Sequence, residues 1–266
     1  MIQFTIKEIK DSFKQLKIKK GSSCLLHSSL INISNIKGVN INNLPKVIID
    51  VILDLVGPNG TISVLSPYYE YAELKKKFYI NKKYCSKKVG SINQYVTKIS
   101  KSRSIEPIFN ISSIGKKSNF INKNVSATSF GEDSAWDRLY KLDTDMIFLG
   151  CNLSVCTFVR YIESKFGVPY LYNKHFSIPI KNNEQIISKY SSSLLRYKHL
   201  KIEYKLKKFQ DDLKNKKILR NNNNKKLNIM AVRMQPCFEL GIKNLKKNFF
   251  YFLKKNPFKK NLLRQN

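Results

Sequence analysis

No apolar run in this chain approaches the ~20 residues that a membrane-spanning helix requires, which leaves no candidate span. The opening residues, Met1-Ile2-Gln3-Phe4-Thr5-Ile6-Lys7-Glu8, lack a basic stretch followed by an apolar one, so the expectation is a soluble, unexported protein of the cytoplasm. No linker rich in proline, glycine and serine divides the 266 residues. That length suits an α/β domain with a substantial core, and one domain without internal repeats is expected over 1–266. Cys24, Cys85, Cys151, Cys156 and Cys237 are odd in number and show no C-x-x-C spacing. They read as reduced thiols rather than a disulfide frame or a zinc site, and no metal is expected. Cys156 has no histidine near it in sequence to activate it, so it reads as a small, half-buried residue rather than a nucleophile.

Acidic residues are also scarce, 18 against 49 Lys and Arg, for a net charge of +31. In an average composition such a balance points to nucleic acid or an anionic membrane. Here lysine, asparagine, isoleucine, tyrosine and phenylalanine are abundant together, as a coding sequence rich in A and T produces without selection for charge. The basic residues run through the whole chain, densest over 198–226, with no RNP, zinc-finger or helix-turn-helix signature. This argues against a nucleic-acid partner. The charge does bear on small ligands, since a positive field favours phosphate-bearing molecules and disfavours polycations.

Thr5-Ile6-Lys7-Glu8 has capping-box spacing and opens a helix to about Leu16. Cys24-Leu25-Leu26 is the body of a strand ending in His27-Ser28-Ser29-Leu30. A helix follows Asn43, with Val47, Ile48, Val51, Ile52 and Leu55 on one face, Pro45 in its first turn and Gly57-Pro58 at its end. Asn59-Gly60 then turns the chain into a strand over 61–65. Further helices are expected over 91–99, 133–142, 203–214 and 236–253, and strands over 109–114, 146–149 and 170–180. Residues 68–88 read as loop or short helices, and 221–226 as an asparagine-rich surface loop. Strand, helix, strand in that order implies a layered α/β sheet whose ligand edge lies where the strands end.

Two segments carry candidate chemistry. His27-Ser28-Ser29-Leu30 places two hydroxyls and free backbone N–H groups just past a strand end, an arrangement able to hold a pyrophosphate, with His27 as a structural residue. Residues 150–163, Gly-Cys-Asn-Leu-Ser-Val-Cys-Thr-Phe-Val-Arg-Tyr-Ile-Glu, read as a turn and a helix capped by Ser154. Val155, Phe158, Val159, Ile162 and Phe166 form the buried stripe, while Cys156, Arg160 and Glu163 share another face.

Both segments resemble the aminoglycoside N3-acetyltransferase family. Gly150, Thr157 and Glu163 match its Gly-loop-Thr-helix motif; His27-Ser28-Ser29-Leu30 matches its His-Ser-Ser-Leu, and Gly57-Pro58-Asn59-Gly60-Thr61 its Gly-Pro-x-Gly-Thr turn. Gly90-Ser91-Ile92, Arg103-Ser104 with Pro107, Gly115, Gly131-Glu132-Asp133-Ser134 and Arg138-Leu139-Tyr140-Lys141-Leu142-Asp143 follow in the family's order. The landmarks run from Thr5 to Phe176, with a weaker likeness over 238–253. The resemblance implies a single-domain, three-layer α/β/α fold with a mixed central sheet. It also implies transfer of acetyl from acetyl-CoA to an amino sugar, a coenzyme A site at His27, Ser28, Ser29, Leu30, Arg103 and Ser104, and catalysis by Thr157, Arg160 and Glu163. A homodimer is compatible with it.

The departures are specific. Arg160 stands where the family has its catalytic histidine, Glu106 where Arg-Ser-x-His-Pro has histidine, Gln94 in place of a glutamate and Thr97 in place of an arginine, four changes expected in one pocket. An imidazole near pKa ~6.5 can take a proton from an ammonium group, and a guanidinium above ~12 cannot. Glu163 is then left to orient or deprotonate the amine, with Arg160 lowering its pKa, while Arg103 and Arg160 contact phosphate or the thioester oxyanion. On an inactive scaffold the same two residues would be a surface ion pair. The competing readings are a degenerate member that binds coenzyme A or a sugar without turnover, and a basic nucleic-acid-associated protein.

Overall fold

The structure is a computed structural model that describes residues 3–33, 35–224 and 226–258. The chain begins with α1 (Ile6–Gln15), β1 (Ser23–Ser28), α2 (Leu44–Val56) and β2 (Thr61–Leu65). It continues through α3 (Glu70–Glu73), β3 (Phe78–Tyr79), α4 (Ser91–Ile99), β4 (Ser102–Arg103), β5 (Ile111–Gly115) and α5 (Ser118–Asn122). Next come α6 (Ala135–Lys141), β6 (Asp145–Leu149), α7 (Phe158–Phe166), β7 (Leu171–Phe176), β8 (Ile180–Asn182), β9 (Gln185–Ser188) and β10 (Ser191–Arg196). The described chain closes with α8 (Lys207–Asn215), β11 (Arg220–Asn221), β12 (Ile229–Arg233) and α9 (Met234–Lys247). No helix among the described residues is long and apolar enough to cross a membrane.

Strands that are apolar on both faces demand a cover on each side, and the central strands are of that kind. In β1 Leu25 faces one core while Cys24 and Leu26 face the other, and in β6 Met146 and Phe148 oppose Ile147 and Leu149. The first face is covered by α6, α7, α8 and α9, the second by α1, α2 and α4. The result is the expected three-layer α/β/α fold. Its seven-stranded sheet has the order β11-β12-β6-β1-β2-β5-β4; β6, β1 and β2 are parallel, and the strands added on either side are antiparallel, so the sheet is mixed.

Local signals were sound where they were chemically specific. The Thr5 hydroxyl accepts from the Glu8 amide at 3.1 Å while Glu8 accepts from the Thr5 amide at 2.7 Å, so both halves of the capping box form. Other expectations need correction. Helix α7 starts after Thr157 rather than at Ser154, because Asn152 caps a 3-10 turn (Leu153–Val155) by accepting from the Ser154 amide at 2.9 Å. Val155 is consequently 49% exposed and leaves the buried stripe. Phe109 and Asn110 precede β5 instead of belonging to it, and 170–180 divides between β7, which pairs with β10, and β8, which pairs with β3 and β9. Residues 68–88 contain α3 and β3. Asn221 lies in β11, and the residues after it connect to β12 through turns in which Asn222 and Asn224 bind backbone groups. Lys225 of that segment lies outside the described residues, as do Met1 and Ile2 of the N-terminal reading.

The Gly-Pro-Asn-Gly-Thr turn and Gly115 are one steric unit. Gly115 has φ +111°, and a Cβ there would lie 2.2 Å from the Gly60 carbonyl oxygen. Gly115→Ala therefore combines left-handed backbone strain with backbone overlap and is expected to lower stability by roughly 2–4 kcal/mol. Urea unfolding of the purified variant measures it, and a loss within error of zero contradicts this account.

Candidate active site

Because β1 and β6 are parallel neighbours with Ser28 opposite Leu149, the segments 27–30 and 150–157 leave the sheet side by side at its carboxyl edge. The fold thus joins the two stretches that the sequence singled out. The ring of His27 stacks on Phe148 with centroids 4.9 Å apart; burial pulls its pKa down to about 4, and Nε2 has no hydrogen-bond partner. A neutral imidazole stacked in this way packs as part of the core. Ser28, Ser29 and Leu30 are half-buried, and Leu30 opens a 3-10 turn (Leu30–Ile33). The Ser29 amide donates to the Leu149 carbonyl at 2.9 Å, so this N–H is not free for a phosphate.

Beside this edge lies a cleft of about 560 Å³ whose walls include Phe109, Thr157, Arg160, Arg196, Glu203 and Tyr204. Thr157 occupies the N-cap position in helical conformation without a capping bond from its side chain, which leaves the hydroxyl available at the wall. One turn on, Arg160 and Glu163 form an i,i+3 pair with Nη1 to Oε2 at 3.7 Å. It is not a surface pair: the Arg160 side chain is 16% exposed and that of Glu163 is fully buried. The Tyr170 hydroxyl donates to Glu163 Oε1 at 2.7 Å and the Tyr204 hydroxyl to Oε2 at 2.7 Å. The guanidinium lies over the Tyr204 ring, 4.6 Å from its centroid, and its Nη1 makes no hydrogen bond. Burial raises the Glu163 pKa; Arg160 and the two phenols pull it down without overcoming that effect, which corrects the expected lowering. Cys156 is buried with its thiol pushed up to about 12 by desolvation, so it holds no reactive thiolate.

The remaining candidates lie elsewhere. Arg103 donates to Asn110 Oδ1, to the Lys82 carbonyl at 2.8 Å and to the Ser66 carbonyl at 2.7 Å, and Ser104 Oγ accepts from the Ile111 amide at 2.8 Å. Arg103 and Thr97 line a different cavity, Gln94 is exposed, and Glu106 is buried between the two, next to Ile105 of that cavity and bonded to the amide of Phe109 in the cleft wall. The four departures therefore do not share one pocket. Conversely, Tyr170, Tyr204 and Arg196 reach Glu163 or the cleft from segments whose sequence carries no local sign of it. Only the tertiary path of β7, β10 and the segment after it brings them there.

Glu106 accepts from the Ser193 hydroxyl and from the amides of Ile108 at 3.1 Å and Phe109 at 2.6 Å, yet burial raises its pKa from 4.5 to about 7. The folded state then keeps a proton that the unfolded chain has lost, so this group's contribution to stability falls as pH rises from 4.5 to about 7. His27 acts in the opposite sense, since its stabilising contribution is lost as pH falls from 6.5 to about 4. Glu106→Gln removes the first effect alone. Between pH 4.5 and 7 the stability difference between the two proteins is expected to move in favour of the variant by roughly 3 kcal/mol. Urea midpoints across that range measure it, and a constant difference means that Glu106 does not titrate there.

Solved structures with this fold share its full extent. The aminoglycoside acetyltransferase AAC(3)-IIb is similar with a TM-score of 0.77, covering 95% of this chain and 99% of that one at 15% identity. AAC-IIIb in a binary complex with CoASH has a TM-score of 0.76 over 96% of this chain and 100% of that one, also at 15% identity. The YokD protein of Bacillus subtilis has a TM-score of 0.73 over 92% and 100%, at 20% identity. No curated protein matches the sequence. At these identities the structural likeness establishes the fold. The sequence profile of the aminoglycoside 3-N-acetyltransferases goes further, matching residues 25–246 and hence both segments of the site, and the chain belongs to that family.

Proposed function

We propose that the protein transfers an acetyl group from acetyl-CoA to an amino group of an anionic or neutral amino sugar, of which a nucleotide-linked amino sugar is the type. The observation that carries the choice of acceptor is the charge of the cleft. Arg160 and Arg196 line it, the one carboxylate in its wall, Glu203, is tied to Lys254 at 3.0 Å, and Glu163 is sealed behind its tyrosines. An aminoglycoside polycation meets repulsion there, whereas a phosphate or carboxylate meets two guanidiniums. Coenzyme A supplies the acetyl thioester, and the 27–30 segment at the neighbouring edge is the part of the chain proposed to hold it.

Attack by the neutral amine forms the C–N bond and places negative charge on the carbonyl oxygen; collapse breaks the C–S bond, and the amine's surplus proton goes to the departing thiolate, which leaves as the coenzyme thiol. Arg160, held by Glu163 and the Tyr204 ring, is suited to stabilise that charge. Glu163 acts by orienting Arg160, since none of its surface meets the cleft. Neither group serves as the imidazole does, so the acceptor amine enters neutral. The only base in the cleft wall among the described residues, Glu203, is held by Lys254, which also favours a second reading, in which the protein binds coenzyme A without turnover.

Calorimetric titration with acetyl-CoA followed by thiol release over a panel of acceptors separates the readings. Binding is expected, with release for nucleotide-linked or acidic amino sugars and little for aminoglycosides at low salt. Binding with no release for any acceptor selects the second reading, and no binding at millimolar coenzyme removes both.

Arg160→His restores an imidazole within reach of the Glu163 carboxylate. It is expected to raise acetyl transfer roughly 10²- to 10⁴-fold near neutral pH, the range of general-base catalysis. The wild-type rate should climb steadily with pH, and that of the variant should level off above the imidazole pKa. A variant that binds coenzyme A but loses activity shows that Arg160 has a role the imidazole cannot fill.

A further inference from the structure

A second cavity lies away from the cleft, at the outer edge of the sheet between the end of α4, β4, the end of α5 and the β8–β9 hairpin. It measures about 710 Å³. Lys82, Lys83, Lys101 and Lys123 stand around it with Arg103, and among the described residues no carboxylate lines it. The four lysines are exposed, and none forms an ion pair among the described residues. Arg103 is a fixed charge on the floor, locked by its three carbonyl acceptors. Desolvation lowers its pKa only to about 10, so it remains a cation at neutral pH.

The wall is not uniformly polar. Ile80, Ile105 and Ile187 supply apolar surface of the kind that covers a flat ring. Asn122, 2% exposed, donates its amide to the Ser102 carbonyl at 3.1 Å and so fixes the wall between α5 and β4. Five cations with no anion among the described residues of the wall to neutralise them, together with an apolar wall, describe a ligand with clustered negative charge and a planar body.

We propose that this cavity binds a nucleoside phosphate, with the lysines on the phosphates and the base against the isoleucines. Two molecules could bring that group, the nucleotide end of coenzyme A or the nucleotide of a sugar acceptor. The site is independent of acetyl transfer, since it is detected by the binding of a nucleotide that carries neither thioester nor amine.

The full-length protein is titrated with adenosine 3′,5′-bisphosphate and with a uridine diphosphate sugar, alone and with coenzyme A present. One of the two is expected to bind with 1:1 stoichiometry and to weaken as salt is raised. Charge reversal at two rim positions, Lys82→Glu with Lys101→Glu, is expected to reduce that binding roughly tenfold or more. Lys246→Glu on α9, remote from the cavity, leaves it unchanged, and circular dichroism checks the fold of each variant. Displacement of the bisphosphate by coenzyme A identifies the coenzyme as the source, and binding of the nucleotide sugar alongside coenzyme A identifies the acceptor. No binding of either nucleotide at millimolar concentration overturns the proposal. So does equal weakening by Lys246→Glu, which marks general attraction to a positive protein. Absence of nucleotide binding by the wild-type protein with thiol release intact refutes the cavity and leaves the enzyme standing.

Discussion

A carboxylate with no access to water has to be matched by donors or it costs several kcal/mol, and Glu163 imposes that condition on the whole carboxyl edge of the sheet. Its partners come from three places in the chain: Tyr170 just before β7, Tyr204 from the segment that follows β10, and Arg160 one turn back on α7. Satisfying one anion thereby pins the helix, the two-stranded sheet and the start of the C-terminal third against each other. Arg160 inherits its position from this arrangement. With Glu163 behind it and Tyr204 beneath it, the guanidinium is held at the cleft wall rather than extended into solvent.

The excess of positive charge acquires meaning only through its distribution. Most acidic side chains are engaged locally, as in Lys46 with Asp50, Lys88 with Glu73 and Lys254 with Glu203, and such exposed pairs add little to stability. What they leave behind is unneutralised basic surface. At the cleft and at the lysine-lined cavity the uncompensated charges converge on concave surface, where low-dielectric walls strengthen the field. A compositional bias toward lysine can supply the charge, and the fold decides where it collects.

Much of the architecture was legible from residues whose conformational demands are narrow. Thr5 and Glu8 marked α1, Gly57 and Pro58 closed α2, and the apolar runs at 61–65 and 146–149 were strands. The order of glycine, proline and polar motifs was enough for the family. Beyond Lys181 the helices remained legible but the strands did not: β8 and β9 are only three and four residues long, and β10 and β12 show no turn signal that announces their pairing with β7 and β6. The site divided in the same way. Glu163 and Arg160 could be placed on one helix face from spacing, but their burial could not, since it depends on Tyr170 and Tyr204. The start of α7 was misplaced because Ser154 and Asn152 are both good caps, and the turn took the asparagine.

The two outer strands of the central sheet, β4 and β11, are each only two residues long, and they carry arginine, serine and asparagine. An open edge with a long apolar strand would offer its unpaired backbone to any neighbouring chain, a serious hazard for a protein this rich in isoleucine, tyrosine and phenylalanine. Strands this short end before they can template another, and their arginines, Arg103 and Arg220, tie them back into the fold through hydrogen bonds. The composition that makes this sequence prone to aggregate is thus held in check at the places where aggregation would start.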